Sequence, residues 1–306
     1  MPKAEHIVPG FDDPTCGIAV AAKKLIARGV GEEDEVWVHS MWTPMVIWAS
    51  IKALLTGKKL VRMPHGCTDP TKLRFHWNKK RWVAPIERWI FRHADHIVAT
   101  CQDEAIWIKS FERSVRKIEL LPLFPDLERK ADVSPQNEKE LISGHALLNG
   151  RSFRLLYVGR LHKLKGVEYL MFALSEIPSH DSIELRLIGK DEGEGRHLRD
   201  LAIKFGLNVK FEGVTSEEDK NVAYDWCDIL VLPTLSENFG LVVAEALERG
   251  KRVITTDGAP AWGDGNDYGG RLVYLKGYRD GTQEKRVELL RDALKALAQN
   301  VNHETH

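Results

Sequence analysis

The stretch 228–250 constrains the fold of this chain more than any other. A run of apolar residues ends at Pro233, and such a run predicts a strand buried in a parallel sheet. Apolar residues then recur at helical spacing over 239–249, and Gly250 supplies a stop signal. A buried strand followed at once by a helix is the repeating unit of a doubly wound α/β fold.

The turn between this strand and this helix carries polar residues. Ser236, Glu237 and Asn238 are predicted to begin the helix, with the serine hydroxyl as a capping group. Glu245 follows about two helical turns later in a mostly apolar stretch. Since a helix start carries partial positive charge and unpaired N–H groups, two carboxylates around it are suited to bind the hydroxyl groups of a sugar and a ribose.

Strand and helix patterns alternate along the whole chain. Strands are predicted at 6–9, 35–39, 59–63, 96–99, 117–121, 153–159, 183–189, 209–213, 228–233, 252–255 and 272–274. Helices are predicted at 18–28, 43–55, 102–111, 239–249 and 284–297, and a further helix ends at 177. The predicted fold class is therefore α/β, with two doubly wound, Rossmann-like domains.

The predicted boundary between the domains lies near the middle of the chain. Turn residues around Pro125 and Pro135 interrupt the alternation of strands and helices. We therefore assign 1–130 to a first domain, 131–150 to a linker helix and 151–306 to a second domain. The last helix of the second domain can pack back on the first.

Composition limits the expected partners and location. The formal net charge is zero, so no overall field attracts nucleic acid. The four cysteines are far apart in sequence, which disfavours a zinc or disulfide framework and favours a reducing compartment. No apolar run approaches the roughly 20 residues of a membrane span, and the first residues do not resemble a signal peptide. We expect a cytoplasmic protein whose membrane contact, if any, is peripheral to the inner face.

Two turns of the first domain are candidate sites because each follows a predicted strand. Gly17 opens a helix whose N–H groups can hold an anion, and His65 follows the strand at 59–63. Each position also has an ordinary interpretation. A strand-to-helix loop would account for Gly17, and a buried structural histidine would account for His65, so spacing alone leaves both open.

A loop of the second domain carries two cations, Arg160 and Lys165, after the first strand of that domain. Two cations on one loop can clamp a diphosphate, although a pair of surface cations has the same spacing. Gly189 and Gly213 end their strands at positions where a nucleotide can approach the backbone closely.

The segment 72–93 is basic and aromatic. Its tryptophans interleave with cations at Trp77, Lys79, Lys80, Arg81 and Trp82. This composition is typical of helices that bind a membrane surface, and it also suits an anionic acceptor. The alternative is a solvated helix with one apolar side in the core, and Trp89 and Ile90 are predicted to be such core residues.

Together these motifs resemble the family 4 glycosyltransferases, which use nucleotide sugars and have the GT-B fold. The matching segments are 159–166, 187–189, 209–214, 228–233 and 237–245. The last segment holds two glutamates with seven residues between them, which is the pattern of that family. The likeness extends to 64–66 and 87–102 in the first half. It implies two Rossmann-like domains that face a cleft.

The resemblance implies a role for each matching residue. Arg160 and Lys165 would bind the donor diphosphate, and His65 would lie near the transferred sugar. Glu237 would bind the donor sugar and Glu245 the ribose. The other donor-binding positions would be Gly17, Gly159, Gly189, Val214, Asn238, Phe239, Gly240 and Leu241. The basic aromatic segment would match the region that docks several relatives on membranes.

The resemblance also implies a reaction. A hexose would pass with retention of configuration from a nucleotide-diphosphate sugar, a UDP-sugar rather than a GDP-sugar, to a glycan or lipid-linked acceptor. Such transfers serve the synthesis of cell-surface polysaccharide or lipopolysaccharide. The acceptor hydroxyl would attack on the face that the phosphate leaves, and the phosphate would take its proton. No Asp-x-Asp motif is apparent, so neither a metal nor another cofactor is expected.

Two departures from the family pattern fall in the first domain. Cys16 stands before Gly17 where relatives often have two glycines, which puts close approach of a phosphate to this turn in doubt. The chain also passes from Gly31 almost directly to the strand at 35–39, where relatives often have additional elements. The first domain is therefore expected to be shortened in the region that usually shapes the acceptor site.

Two other functions remain open at this point. A sugar-nucleotide epimerase has the same architecture and would release an altered sugar without any acceptor. A non-catalytic, membrane-bound binding subunit would tolerate loss of the donor residues, which are all present here. An NAD-dependent dehydrogenase is disfavoured because no G-x-G-x-x-G opens a helix after a strand.

Overall fold

The computed structural model describes residues 4–13, 16–74, 77–115, 117–124, 153–178, 182–263, 265–266 and 268–299. The chain divides into two compact units, Met1–Pro125 and Asp126–His306. The predicted linker helix at 131–150 lies outside the described residues, and the predicted domain bounds stay a prediction.

The first unit contains a sheet in the order β1-β2-β3-β4-β5. Its strands are β1 (Glu5–Ile7), β2 (Glu35–His39), β3 (Lys59–Met63), β4 (His96–Ala99) and β5 (Ile118–Leu120). Its helices are α1 (Gly17–Ala27), α2 (Pro44–Thr56), α3 (Pro70–Arg74), α4 (Trp77–His93) and α5 (Gln102–Phe111). All neighbouring strands are parallel, so consecutive strands are joined by crossover connections rather than hairpins.

Helix α2 shows how local sequence sets these elements. Thr43 caps it by accepting a hydrogen bond from the N–H of Val46 at 3.4 Å, and Pro44 occupies the first turn. Gly57 ends the helix with a left-handed backbone at φ 70°. The apolar face of α2 packs on the sheet and on α4 in one cluster, Val36, Val38, Val46, Ala53, Leu60 and Ile90.

A fully buried ion pair fixes α4 against β3. Arg62 and Glu87 have no exposed side-chain surface, and Arg62 Nη2 lies 2.9 Å from Glu87 Oε2. Arg62 also donates to Ser50 Oγ at 2.9 Å and to the carbonyl of Ser40 at 3.0 Å, while Glu87 accepts from the N–H of Trp42 at 2.8 Å. Removing one partner would leave a buried charge unpaired, so loss of either residue is expected to destabilise the fold strongly.

One prediction about α4 is wrong. Ile90 is fully buried as predicted, but Trp89 is 43% exposed. The two residues are adjacent, and adjacent positions on a helix point about 100° apart. The core therefore takes Ile90 while Trp89 turns outward, where its ring packs on His93 with ring centroids 4.7 Å apart.

The second unit contains a parallel sheet in the order β11-β10-β9-β6-β7-β8. Its strands are β6 (Phe153–Val158), β7 (Ile183–Ile188), β8 (Asn208–Gly213), β9 (Ile229–Leu232), β10 (Arg252–Thr256) and β11 (Leu272–Leu275). Its described α-helices are Val167–Ser175, Gly195–Phe205, Glu217–Trp226, Leu241–Glu248 and Gln283–Gln299. The chain builds outward from β6 to β8 and then returns to β9 on the other side of β6. The strand order therefore reverses between β6 and β9, and such a switch point is where ligands bind in open α/β sheets.

Glycines allow the loops at this switch point to touch. Gly166 has φ 64°, and a Cβ at this position would lie 2.2 Å from the carbonyl oxygen of Pro233. A Cβ at Gly258 would lie 2.1 Å from the carbonyl oxygen of Thr234. Both of these neighbouring atoms belong to the backbone, so they could not move aside to accommodate a side chain at either glycine. The loops that follow β6, β9 and β10 therefore lie directly against each other.

The final helix, Gln283–Gln299, packs on the helix Val167–Ser175 within the second unit. Its buried face includes Leu290 and Leu294, and Arg286 donates to the hydroxyl of Tyr169 at 3.0 Å. Its packing against the first domain stays a prediction.

Among the described residues, no helix is both long enough and apolar enough to cross a membrane.

Candidate functional site

An ion pair joins the loops that follow β6 and β9. Lys165 Nζ lies 2.6 Å from Glu237 Oε2, and Lys165 is 7% exposed. The ammonium also donates to the carbonyl of Ser236 at 3.4 Å. Backbone contacts fix the two loops, since the N–H of Leu235 donates to the carbonyl of Leu164 at 2.8 Å. The structure thus brings together two residues that the sequence placed in one site.

The backbone around Glu237 orients its carboxylate. The N–H of Glu237 donates to the carbonyl of Gly258 at 2.7 Å, and Glu237 Oε1 accepts from the N–H of Asn238 at 3.0 Å. One carboxylate oxygen therefore faces Lys165 and the other faces its own turn. A carboxylate held in this way can accept further hydrogen bonds from ligand hydroxyl groups.

The helix after Glu237 begins later than predicted. It spans Leu241–Glu248, and its N-cap is Gly240 with φ 71° rather than Ser236. No side chain caps it. A Cβ at Gly240 would lie 3.3 Å from both Leu232 Cδ2 and the indole nitrogen of Trp262, and that indole donates to the carbonyl of Phe239. Because the N-cap residue is a glycine, it caps the helix with no side chain, and a helix start of this kind suits an anion.

Glu245 lies inside this helix and contacts a neighbouring helix. Its carboxylate accepts from the hydroxyl of Tyr224 at 2.9 Å and pairs with Lys220 Nζ at 3.3 Å. Burial raises the pKa of Tyr224 well above its usual value, and the Glu245 carboxylate adds to this shift. The hydroxyl therefore stays protonated and donates. Sequence reasoning missed Tyr224 and Lys220, although their i, i+4 spacing places them on one helix face.

Arg160 pairs with a different carboxylate from the one that Lys165 contacts. Its Nη1 lies 2.8 Å from Glu192 Oε2, and its side chain is 53% exposed. The hydroxyl of Tyr157 donates to the carbonyl of Arg160 at 2.8 Å. Burial raises the pKa of Tyr157 well above its usual value, with the charge of Glu237 as the next cause. Tyr157 therefore lies within electrostatic reach of Arg160 and Glu237.

The predicted glycine turns of the second unit lie at adjacent strand ends. The N–H of Gly159 donates to the carbonyl of Ile188 at 2.8 Å, and the N–H of Gly189 donates to that of Gly213 at 2.7 Å. A Cβ at Gly189 would lie 2.0 Å from the carbonyl oxygen of Gly159, so these backbones approach too closely for a side chain. Val214 follows β8 and is 55% exposed.

The first unit places the other two candidate turns at strand ends. His65 follows β3 with φ 53° and is buried. Burial lowers the pKa of His65 to about 3, and the charge of Lys72 adds to this shift. Gly17 is the first residue of α1, and its N-cap Cys16 does not cap the helix with its side chain, because the thiol donates to the carbonyl of Pro9 at 3.8 Å instead. A Cβ at Gly17 would meet no atom within 4 Å, so packing does not require glycine there.

A buried carboxylate holds the turn that carries His65. Glu104 accepts from the N–H of Gly66 at 2.5 Å, from the N–H of Thr100 at 2.8 Å and from the hydroxyl of Thr100 at 2.7 Å. Burial raises the pKa of Glu104, and these three donors oppose that rise. The contacts join the carboxyl ends of β3 and β4, and sequence reasoning did not identify them.

The basic aromatic residues lie on the exposed start of α4. Trp82 is 73% exposed and Trp77 is 42% exposed, and Lys79 and Arg81 are exposed. Lys80 differs from its neighbours because it donates to the carbonyl of Lys72 at 2.6 Å and is only partly exposed. The exposed surface therefore consists of two tryptophans with two cations, while Lys80 serves a local contact.

In the part of the chain that the structure describes, no group of three or more His, Cys, Asp or Glu side chains is arranged to hold a metal ion.

Two family descriptions match this chain. "Glycosyltransferase Family 4" matches residues 2–129, and "Glycosyl transferases group 1" matches residues 138–264. Among curated proteins, the D-inositol 3-phosphate glycosyltransferase of Corynebacterium jeikeium is 30% identical over 187 residues, which are 56% of this chain and 44% of that protein. The chain spans less than half the length of these curated relatives, between 24% and 44%.

Solved structures share the fold along most of the chain. WaaG, a glycosyltransferase involved in lipopolysaccharide biosynthesis, superposes with a TM-score of 0.66 at 19% identity, covering 99% of this chain and 95% of its own. Anabaena HepE in complex with UDP-glucose superposes with a TM-score of 0.58 at 21% identity, covering 92% and 77%. With one family description matching each half and two parallel α/β sheets like those of these structures, the chain belongs to the family 4 glycosyltransferases of the GT-B fold.

Proposed function

We propose that this protein transfers a hexose, with retention of configuration, from a nucleotide-diphosphate sugar to a hydroxyl group of a glycan or lipid-linked acceptor. The observation that carries the proposal is the Lys165–Glu237 ion pair of 2.6 Å beside a helix whose start no side chain caps. It lies at the switch point of the second sheet, where an α/β fold binds nucleotides. The proposal also draws on the relatives, since HepE was crystallised with UDP-glucose.

Positive charge at this site would stabilise the leaving diphosphate. As the bond to the sugar breaks, negative charge grows on the phosphate oxygens, and fixed positive groups lower the energy of that state. Lys165 and the N–H groups around Leu241 supply such charge from a fixed framework. Arg160 is partly exposed and can turn from Glu192 toward a bound anion. We therefore propose that the transfer needs no metal cofactor.

Carboxylates on either side of this charge would bind hydroxyl groups. Glu237 is held by Lys165 and by the N–H of Asn238, and we assign it to the hydroxyls of the transferred sugar. Glu245 lies about one turn into the helix, where the hydroxyl of Tyr224 donates to it, and we assign it to the ribose. The acceptor hydroxyl would attack on the face that the phosphate leaves, and the leaving phosphate would take its proton.

Glu237→Gln tests the proposal. The amide keeps the shape of the side chain and removes the charge that pairs with Lys165. With UDP-glucose, UDP-galactose and GDP-mannose as donors, we expect release of nucleotide diphosphate to fall about 100-fold or more in the variant. Added EDTA should leave the wild-type rate unchanged.

Glu248→Gln is the matched control, because Glu248 is an exposed residue of the same helix. It should keep the wild-type rate. Near-normal turnover by Glu237→Gln would remove the central assignment. Release of an epimerised nucleotide sugar or its free sugar without transfer to any acceptor would favour an epimerase instead. Binding of UDP-glucose without any turnover would favour a binding subunit.

A further inference from the structure

Three histidines from three neighbouring strands form a row in the first unit. His6 lies in β1, His39 ends β2 and His65 follows β3, and these strands are adjacent and parallel. His6 Nδ1 lies 3.0 Å from His39 Nε2, and His39 Nδ1 lies 2.8 Å from His65 Nε2. The centroids of successive rings are 5.3 Å and 5.1 Å apart and the ring planes differ by 24° and 22°, so neighbouring rings meet edge to edge through these nitrogens.

The outer end of the row fixes the direction of every hydrogen bond in it. His6 Nε2 lies 3.2 Å from the carbonyl oxygen of Val30, which can only accept, so His6 Nε2 carries the proton. In a neutral His6 ring, Nδ1 is then an acceptor and His39 Nε2 must donate to it. The same step repeats at His39, so His39 Nδ1 accepts and His65 Nε2 donates.

We infer that His6, His39 and His65 form one directional hydrogen-bond chain that holds His65 in its Nε2–H tautomer and leaves its Nδ1 as an acceptor for a ligand hydroxyl group. Among the described residues, none donates a hydrogen bond to His65 Nδ1, whereas both nitrogens of His6 and of His39 are paired within the row. His6 and His39 are therefore positioning residues. The hydroxyl partner rests on the proposed function, while the tautomer follows from the geometry alone.

The hydrogen-bond chain requires that the three imidazole rings are neutral, and the surroundings of the rings favour the neutral form. Burial lowers the pKa of all three histidines. Among the charged groups around the row, Arg62 disfavours a charge on His39 and Lys72 disfavours one on His65, whereas Glu35 favours one on His6. A proton added at His6 Nδ1 would reverse both internal hydrogen bonds and place a proton on His65 Nδ1. His65 would then donate instead of accepting.

The tautomer can be read directly from histidine nitrogen shifts. In ¹⁵N-histidine-labelled protein at pH 7.5, long-range ¹H–¹⁵N correlation spectra distinguish Nε2–H from Nδ1–H rings, and loss of one ring's signals in His65→Gln assigns His65. We expect His65 to be entirely Nε2–H. In His6→Phe, which keeps a ring beside Trp37 but removes the acceptor at the end of the row, His65 should become a mixture of tautomers although it does not touch residue 6.

His93→Phe is the matched control. The ring of His93 also lies near a backbone carbonyl, that of Trp89 at 2.8 Å, and packs on an indole, but it lies outside the row. The signals of His65 should not change in this variant. The inferred hydrogen-bond chain would be wrong if His65 were Nδ1–H in the wild type. It would also be wrong if the His65 tautomer were unchanged in both His6→Phe and His39→Phe. His6→Phe alone decides the matter if His39→Phe does not fold.

Adding ligands to the same labelled protein tests this inference separately from the proposed function. UDP-glucose should move the Nδ1 resonance of His65 as a hydroxyl donates to it, whereas UDP alone should not. If neither ligand binds, the proposed function fails while the tautomer result stands. If UDP-glucose binds and His65 Nδ1 does not move, the hydroxyl assignment is wrong and the donor site itself is retained.

Discussion

Lys165 and Glu237 act as one electrostatic unit, because the charge of each partly offsets the field that the other exerts on a ligand. At 2.6 Å the pair is a charge-assisted hydrogen bond, and the low exposure of Lys165 limits screening by water. A diphosphate that approaches Lys165 therefore also approaches Glu237. The sugar hydroxyls that Glu237 binds would keep this carboxylate occupied and leave the ammonium to the phosphate.

Tyr224 is expected to support nucleotide binding through Glu245. Tyr224→Phe removes the hydroxyl that donates to the carboxylate at 2.9 Å and changes little else. Loss of one such hydrogen bond corresponds to about 1 kcal/mol, so we expect UDP to bind roughly 3- to 10-fold more weakly by calorimetry. Tyr169→Phe removes another hydroxyl of the second unit and should leave UDP affinity unchanged. Equal affinities in both variants would contradict a role for Tyr224.

The lowered pKa of the buried His65 predicts that the protein becomes less stable as the pH falls. The pKa of His65 is about 3 in the fold, below the ordinary value near 6.5. Between these values the unfolded chain binds more protons, so the free energy of unfolding decreases as pH falls below about 6.5. From pH 7 to pH 5.5, His65 alone should account for a loss of about 1 kcal/mol.

Urea denaturation followed by tryptophan fluorescence at these two pH values measures this loss. His65→Gln should reduce the pH dependence by that amount, while His93→Gln, an exposed site, should keep it. Glu104 acts in the opposite direction, since its raised pKa makes the folded protein bind more protons, but all three proteins share it. An identical pH dependence in His65→Gln and wild type would exclude a neutral, buried His65.

At this scale the sequence identified types of residue better than their contacts. It singled out His65, Lys165, Glu237 and Glu245 because each lies in a turn or helix with a recognisable pattern. It did not reveal His39 beside His65 or Tyr224 beside Glu245. Those contacts depend on strand order and on the rotation of a neighbouring helix, and neither is encoded in local spacing.

Among the elements, the helix Leu241–Glu248 departs from its prediction in an instructive way. Serine, acid and amide in sequence indicated a capped start near Ser236, but the left-handed backbone of Gly240 begins the helix. The cause is a tight turn under Trp262, where a Cβ would be crowded. Ser236, Glu237 and Asn238 therefore remain in the turn before the helix.

Helix α4 is expected to bind anionic membranes through its exposed start. Lys79, Arg81, Trp77 and Trp82 are exposed on one short stretch, which combines cations with rings suited to an interface. We expect the protein to cosediment with vesicles that contain phosphatidylserine. Lys79→Glu combined with Arg81→Glu should weaken this partitioning roughly tenfold or more.

Lys204→Glu combined with Lys210→Glu makes the same change in net charge at exposed sites of the second unit and serves as the control. It should partition like the wild type. If the wild type ignores anionic vesicles at low salt, the membrane assignment is wrong, and a soluble anionic glycan becomes the remaining candidate for this surface.

At the scale of the whole molecule, strand bounds followed closely from the sequence. The bounds of β2, β3 and β4 match their predictions, because short apolar runs between turn residues leave little choice. Strand order did not follow from periodicity, since it depends on where each crossover returns. The switch point between β6 and β9, on which the site depends, became visible only in the structure.

The division into two units predicts which part of the chain a bound nucleotide stabilises. UDP at a hundred times its dissociation constant should raise the free energy of unfolding of the unit that binds it by about 2.7 kcal/mol. In hydrogen exchange with mass spectrometry, we expect protection to concentrate in the described peptides of the second unit. Glu245→Gln should reduce this protection at the same UDP concentration. Protection confined to peptides of the first unit would place the nucleotide elsewhere.

Each open sheet has two edge strands, and these edges affect how readily the protein aggregates when it is refolded at high concentration. Edge strands offer unpaired backbone groups on which another molecule can add a strand. β1 and β5 are three residues long and β11 is four, so they offer little, but β8 is six residues long. Its exposed Lys210 pairs with Glu212 at 3.2 Å, which puts charge on that edge. Lys210→Val removes this charge, so we expect the variant to aggregate more than the wild type when both are refolded at the same high concentration.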